Sequence, residues 1–182
     1  DVVRSRGLGD VYKRQLEMIA SPGSDLLHWL EQYAFVAEKK YAESDYASKQ
    51  ADKFLDELLR VGTTTAMVFG TVHADSVNSF FTSCKNRNLR MVCGKVMMDR
   101  NAPAFLQDTP QTSYDESKSL IETWHNKDRL RYAVTPRFAP TSSEHQLELA
   151  GQLLKEYPDA YLHTHLSETE NEVAWVRKLY PK

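Results

Sequence analysis

Thr63-Thr64-Thr65-Ala66-Met67-Val68-Phe69-Gly70 is a β-branched and apolar run with glycines at positions 62 and 70. It has no polar alternation, so it reads as a strand buried on both faces, the kind found in parallel sheets. Just upstream, Ala47, Gln50, Ala51, Phe54, Leu55, Leu58 and Leu59 keep a 3.6-residue stripe that predicts a long amphipathic helix ended by Gly62. A shorter stripe, Leu26, Leu27, Leu30 and Phe35, predicts another helix before it, with Ser24 or Asp25 as N-cap.

Downstream the unit recurs. A helix over about Asp75–Asn86 leads to a strand over Leu89–Met98, and a polar segment, Asp99–Thr112, precedes a helix over about Tyr114–His125. The strand Leu130–Thr135 is followed by a helix from Ser142 or Ser143 to about Tyr157, with Glu144 and Gln146 placed for a capping box. The strand Ala160–His165 then leads to a helix over about Glu170–Leu179. Four strand–helix units in succession predict a parallel α/β fold.

An open nucleotide-binding sheet would need a glycine-rich strand-to-helix turn, and neither GxGxxG nor GxxxxGK[ST] occurs. Instead, polar residues stand at the C-terminal ends of the strands: His73, Asp99, Arg137, and His165 with Glu168. A (β/α)8 TIM barrel builds its chemistry at that face from several strand ends, so a barrel is the expected fold. Four units cannot close an eight-stranded barrel, so the sequence is expected to be part of a longer one.

Composition narrows the classes. Lys+Arg 23 against Asp+Glu 25 gives a net charge of −2, so nothing in the charge balance points to a nucleic-acid or polybasic membrane surface. Charged residues at 26% and hydrophobic residues at 41% are those of a globular protein, which argues against disorder. No apolar run approaches the ~20 residues of a membrane span, nor is there a signal-peptide core of about 7–15 apolar residues. Cys84 and Cys93 form neither a disulfide framework nor a CxxC pair and read as small buried residues of a reduced, cytoplasmic protein. Residues 1–15, DVVRSRGLGDVYKRQ, follow neither period, and their end resembles a translated transposon-end adaptor of sequencing libraries. Without Arg4, Arg6, Lys13, Arg14, Asp1 and Asp10, the remaining domain, 16–182, carries −4.

His163-Thr164-His165-Leu166-Ser167-Glu168 carries the most chemistry. Residues two apart on a strand face one way, so His163 and His165 can both point into a barrel. Glu168 follows at the strand's exit, where a carboxylate could move a proton for a metal-activated water. The spacing alone suits a metal pair and a hydrogen-bonded histidine pair alike. In Thr135-Pro136-Arg137-Phe138-Ala139-Pro140, two prolines hold the chain extended around one Arg. Its fork suits a carbonyl and ring nitrogen, a carboxylate, or a rim salt bridge. His73, Asp99 and the 101–107 loop read as supporting residues, His28, His125 and His145 as solvated, and Trp29, Trp124 and Trp175 as helix-packing residues, Trp29 being the one placed to line a pocket.

Taken together, Gly62-Thr63-Thr64-Thr65-Ala66, Gly94-Lys95-Val96-Met97-Met98-Asp99, Thr135-Pro136-Arg137-Phe138-Ala139-Pro140 and His165-Leu166-Ser167-Glu168 resemble the guanine deaminases of the metal-dependent amidohydrolase superfamily. The resemblance spans residues 16–182, with Leu27-His28-Trp29-Leu30 also in register. It implies a partial (β/α)8 barrel, roughly strands 2–5 with their helices, and hydrolysis of guanine to xanthine and ammonia with one Zn2+, iron being equally compatible with His/Asp ligation. His165 would ligate the metal, Glu168 would shuttle the proton, and Arg137 with Phe138 would hold the purine. The family's other four metal ligands would lie before Leu16 and beyond Lys182. The chain alone is therefore expected neither to bind zinc tightly nor to turn over guanine, and the full-length protein to be a homodimer. Another amidohydrolase acting on a different nitrogen heterocycle, and a non-catalytic barrel-derived binding protein, are the rival readings. The cytidine-deaminase class needs H-x-E with P-C-x-x-C and is excluded.

Overall fold

The computed structural model describes residues 33–181. Segment 1–15, Trp29, His28 and most of the first predicted helix lie outside those residues. The described chain opens with the short helix α1 (Phe35–Lys39) and the long helix α2 (Ser44–Arg60). Strand β1 (Thr65–Phe69) follows, then α3 (Ala74–Asn86), β2 (Arg90–Gly94), β3 (Val96–Met97) and α4 (Pro110–Trp124). The last elements are β4 (Arg131–Pro136), α5 (Glu144–Glu156), β5 (Tyr161–Leu162) and α6 (Glu170–Leu179).

The single predicted strand Leu89–Met98 is interrupted at Lys95, yet β2 and β3 meet β4 in one continuous register, Val92 opposite Arg131 and Val96 opposite Thr135. They are two halves of one strand. The sheet then runs β1, β2/β3, β4, β5, every pairing parallel and in chain order. That order has no reversal point, which distinguishes it from a doubly wound sheet.

Curvature decides between a flat and a rolled sheet. Strands three places apart in a flat sheet lie roughly 14 Å apart. The ring of Phe69, at the end of β1, nevertheless meets His163 and His165, just past β5, edge-on at centroid distances of 4.8 and 4.6 Å. The sheet rolls so that its first and last strands face each other across the inside. It is an arc of a barrel and does not close among the described residues.

Side-chain alternation divides the core accordingly. Val68, Met91, Cys93, Met97, Tyr132 and Val134 point outward into one cluster with Phe54, Leu55, Phe80, Phe81 and Leu153 of the helices. Phe69, Val96 and Met98 point inward and pack with Phe35 and Ala37 of α1, which caps the mouth at the strands' C-terminal ends. Both cysteines are buried in the outer layer, and Trp124 stacks on Phe81 at 5.6 Å, as expected of packing residues.

Gly94 faces inward where β2 comes closest to β4. A Cβ there would sit far inside van der Waals contact with the Ala133 carbonyl and the Thr135 hydroxyl. Gly94→Ala is expected to destabilise the protein by about 1–3 kcal/mol, the usual cost of overpacking. Urea unfolding checks this; an unchanged midpoint would mean the two strands can separate freely.

Two local corrections follow. Helix α4 starts four residues earlier than its apolar stripe, because Thr109 and Thr112 form a reciprocal capping box with Pro110 at the first turn. His125 is buried, not solvated: its Nδ1 accepts the Tyr132 N–H at 3.0 Å, which puts the ring proton on Nε2, 3.2 Å from Asp159. Ending a helix against a strand start, it completes a backbone hydrogen bond that the polar pattern of its own helix does not reveal.

Candidate active site

The mouth of the arc gathers the segments following β1, β3, β4 and β5. Arg137 begins the turn after β4, its N–H donating to the Met97 carbonyl at 3.2 Å. The Arg137 carbonyl oxygen accepts the His165 N–H at 3.0 Å and lies 3.0 Å from His165 Nδ1. With Nδ1 donating to that carbonyl, the lone pair left on His165 is at Nε2, the atom a metal would use. The predicted ligand and the predicted substrate arginine are thus joined directly through main-chain atoms.

Arg137 is 2% exposed and its side chain forms a buried ion pair, Nη1 donating to Glu38 Oε2 at 2.9 Å. The Phe35 ring lies 5.2 Å beneath the guanidinium carbon. The expected salt bridge is thus present, but inside the protein and not at a rim. Phe138 is also buried and turns its ring edge-on to Trp175 of α6, 6.3 Å away, so it ties the Arg137 turn to the last helix.

Glu168 is exposed, at a turn whose first residue, Ser167, has a left-handed φ of 55°. That conformation is unfavourable for a residue with a Cβ. The buried carboxylate of Glu172 holds it, accepting the Ser167 N–H at 3.1 Å and the Glu168 N–H at 2.7 Å. Glu172 is in turn placed by the Thr169 N-cap, whose hydroxyl accepts the Glu172 N–H at 3.1 Å.

Asp99 accepts both the backbone N–H and the hydroxyl of Ser143, and so pins the start of α5 to the loop after β3. Ser143 caps α5, but the Gln146 side chain leaves the expected capping box for Ser113 of α4. His73 follows β1; burial holds its imidazole below the usual histidine range, opposed by the Glu38 charge. Lys95 faces outward under α4, paired with Asp108 and with Glu116, and takes no part in the mouth.

Glu38 and Glu172 are the residues that sequence reasoning missed. Glu172 carried a signal: Thr169-Glu170-Asn171-Glu172 has capping-box spacing. Glu38 carried a weaker one, a lone acid after Phe35-Val36-Ala37.

The sequence profile described as "Amidohydrolase family" matches residues 14–182. The chain belongs to the amidohydrolase family. It is 52% identical over 171 residues to guanine deaminase of Escherichia coli K12, covering 94% of this chain and 39% of the relative. The solved E. coli guanine deaminase superposes with a TM-score of 0.88 at 49% identity, over 95% of this chain and 39% of that one. A guanine deaminase of C. acetobutylicum, solved with guanine in its active site, gives a TM-score of 0.88 at 30% identity over 93% and 41%. A zinc complex of the atrazine chlorohydrolase TrzN from Arthrobacter aurescens TC1, at 18% identity and a TM-score of 0.80, covers 94% and 42% and shares the fold. This amidohydrolase chain therefore spans about two fifths of the length of these relatives. Its sheet is the corresponding part of their barrel. No helix among the described residues is long and apolar enough to cross a membrane.

Proposed function

We propose that this chain is the segment of a guanine deaminase that supplies its purine-binding arginine, one metal ligand and its proton shuttle. The observation that carries the proposal is the coupling of Arg137 to His165 through one carbonyl oxygen, at the strand ends where the fold builds its chemistry. The identity to the E. coli enzyme supports the same substrate, and the guanine-bound relative supports a purine in this mouth.

His165 fits a metal in tautomer and position, and the zinc in a fold relative favours that ion. When bound, zinc would supply a water acidified toward neutrality as the nucleophile. Arg137 would donate to the purine carbonyl, fixing the ring so that its amino-bearing carbon faces the attacking water. Phe138 would keep that turn in place through Trp175 and help to exclude water from the ring. Glu168 would take one proton of the attacking water and pass it to the ring nitrogen, then carry the second, from the new hydroxyl, to the departing amine as ammonia leaves. The exposed turn leaves that carboxylate able to swing between donor and acceptor positions, while Glu172 fixes its backbone.

Residues 16–182 form the catalytic-barrel segment in this reading, and 1–15 the adaptor-derived part. The complete protein would be a cytoplasmic homodimer without nucleic-acid or membrane partners. Its test is ammonia release from guanine by the full-length protein carrying this segment, loaded with zinc. No turnover of guanine, with turnover of another nitrogen heterocycle, would replace the substrate and leave the fold.

One metal prediction concerns the 182-residue chain itself. Among the described residues no group of three or more His, Cys, Asp or Glu side chains can hold a metal. Competition against a chromophoric chelator is expected to give a zinc Kd weaker than about 1 µM. Tighter binding would show that further ligands lie within the chain.

A further inference from the structure

Glu38 is a fully buried carboxylate at the mouth of the arc, at 0% exposure. A buried carboxylate must be paired and hydrogen-bonded to be tolerated. Its two oxygens have separate partners. Oε2 accepts from Arg137 Nη1 at 2.9 Å, and Oε1 accepts from the Val72 N–H at 3.3 Å. One side chain of α1 therefore ties the loop after β1 to the turn after β4. Phe35, one helical turn earlier, lies under the guanidinium, and Met98 Sδ is 3.9 Å from Nη1. The guanidinium is gripped by a carboxylate, an aromatic face and a thioether, all inside the protein.

This grip changes the charge that a ligand meets. An arginine alone in a low-dielectric pocket attracts carboxylates and phosphates strongly. An arginine already paired with a buried carboxylate is a neutral unit with aimed N–H groups, suited to an uncharged ring carbonyl. Resting on the purine reading above, we propose that Glu38 is a positioning and specificity residue. It fixes the direction of the Arg137 guanidinium and cancels its charge, so that the site selects neutral carbonyl-bearing rings over anionic ones. The ambiguity of the sequence, carbonyl or carboxylate as the partner of Arg137, is resolved by Glu38 in favour of the carbonyl.

The test uses the full-length zinc enzyme that carries this segment, once wild type has been shown to release ammonia from guanine. Failure at that first step would sink the purine reading and leaves the Glu38 test to be read by calorimetry with the turnover substrate then found, its carbonyl replaced by a carboxylate in the competing ligand. For guanine, the competing probe is purine-6-carboxylate, in which an anion stands in place of the carbonyl. Glu38→Gln is expected to lower kcat/KM for guanine by about a hundredfold, mostly through KM. Inhibition by purine-6-carboxylate is expected to tighten by at least about tenfold, as the arginine's charge is unmasked. A merely structural role would weaken both ligands together.

Glu38→Asp keeps the charge and is expected to leave the carboxylate weak while guanine KM rises. It also serves if Glu38→Gln does not fold, as does Glu38→Gln combined with Arg137→Gln, a neutral pair that should bind purine-6-carboxylate no better than wild type. Unchanged guanine KM in Glu38→Gln, or unchanged inhibition by the carboxylate, would overturn the proposal. If only the Asp and double variants fold, wild-type guanine KM in Glu38→Asp, or tightened carboxylate binding in the double variant, would do the same.

Discussion

If the full-length protein loaded with zinc turns over guanine as proposed, Glu168→Gln is expected to lower its kcat by about 10²–10⁴-fold, with KM nearly unchanged. The amide keeps the size and the backbone bonds of the Ser167–Glu168 turn, which depend on Glu172 and not on the Glu168 carboxylate. What it removes is a group that can accept and release a proton. The Glu168 side chain is exposed in this segment, and unfolding midpoints are expected to match wild type. Stopped-time ammonia assays with a parallel melting curve check both statements. A loss confined to KM would assign Glu168 to binding, and a kcat within about threefold of wild type would take the proton shuttle away from it.

Arg137→Met is expected to cost both stability and recognition. Removing the guanidinium takes a charged partner from the Glu38 carboxylate, which is fully buried. Breaking one half of a buried pair costs about 3–5 kcal/mol, so a pronounced drop in urea midpoint is expected. The carbonyl of residue 137, which orients His165, survives any side-chain change, so metal content should be retained where the variant folds. Arg137→Lys separates the two effects. An ammonium can still neutralise Glu38 but lacks the planar fork, so stability should recover largely while kcat/KM for guanine stays low. Full activity in Arg137→Lys would show that charge alone, without directed donors, recognises the ring.

The fold was readable because it rests on short-range regularities. The β-branched run ending at Phe69, its repeats at Leu89–Met98 and Leu130–Thr135, and the stripes between them need only period and composition. The expected burial of the first run on both faces is corrected, since in β1 only Val68 and Phe69 are buried while Thr65 and Met67, at the open edge of the arc, are exposed. The capping of α4 by Thr109 shifted a boundary without changing an element, and the break at Lys95 left the register against β4 intact. The short extent of β5, Tyr161–Leu162 in place of Ala160–His165, has a plain cause. Within the described residues it pairs with β4 alone, and its side chains stay exposed beside an apolar groove of about 390 Å³ between α5 and α6.

The candidate site was readable only in part, and the division is physical. Sequence determined the succession of strands and helices, the strand-end positions of Arg137, His165 and Glu168, and the residue types able to bind a ring, a metal and a proton. Each of these is a local property of composition and spacing. Tertiary structure alone decided that the sheet rolls far enough for Phe69 to meet His163 and His165. It also decided that Glu38 pairs with an arginine far along the chain, and that the Arg137 carbonyl oxygen accepts from His165. A buried charge must find its partner wherever the folded chain brings one, and no periodicity encodes a pairing between residues that only folding makes neighbours.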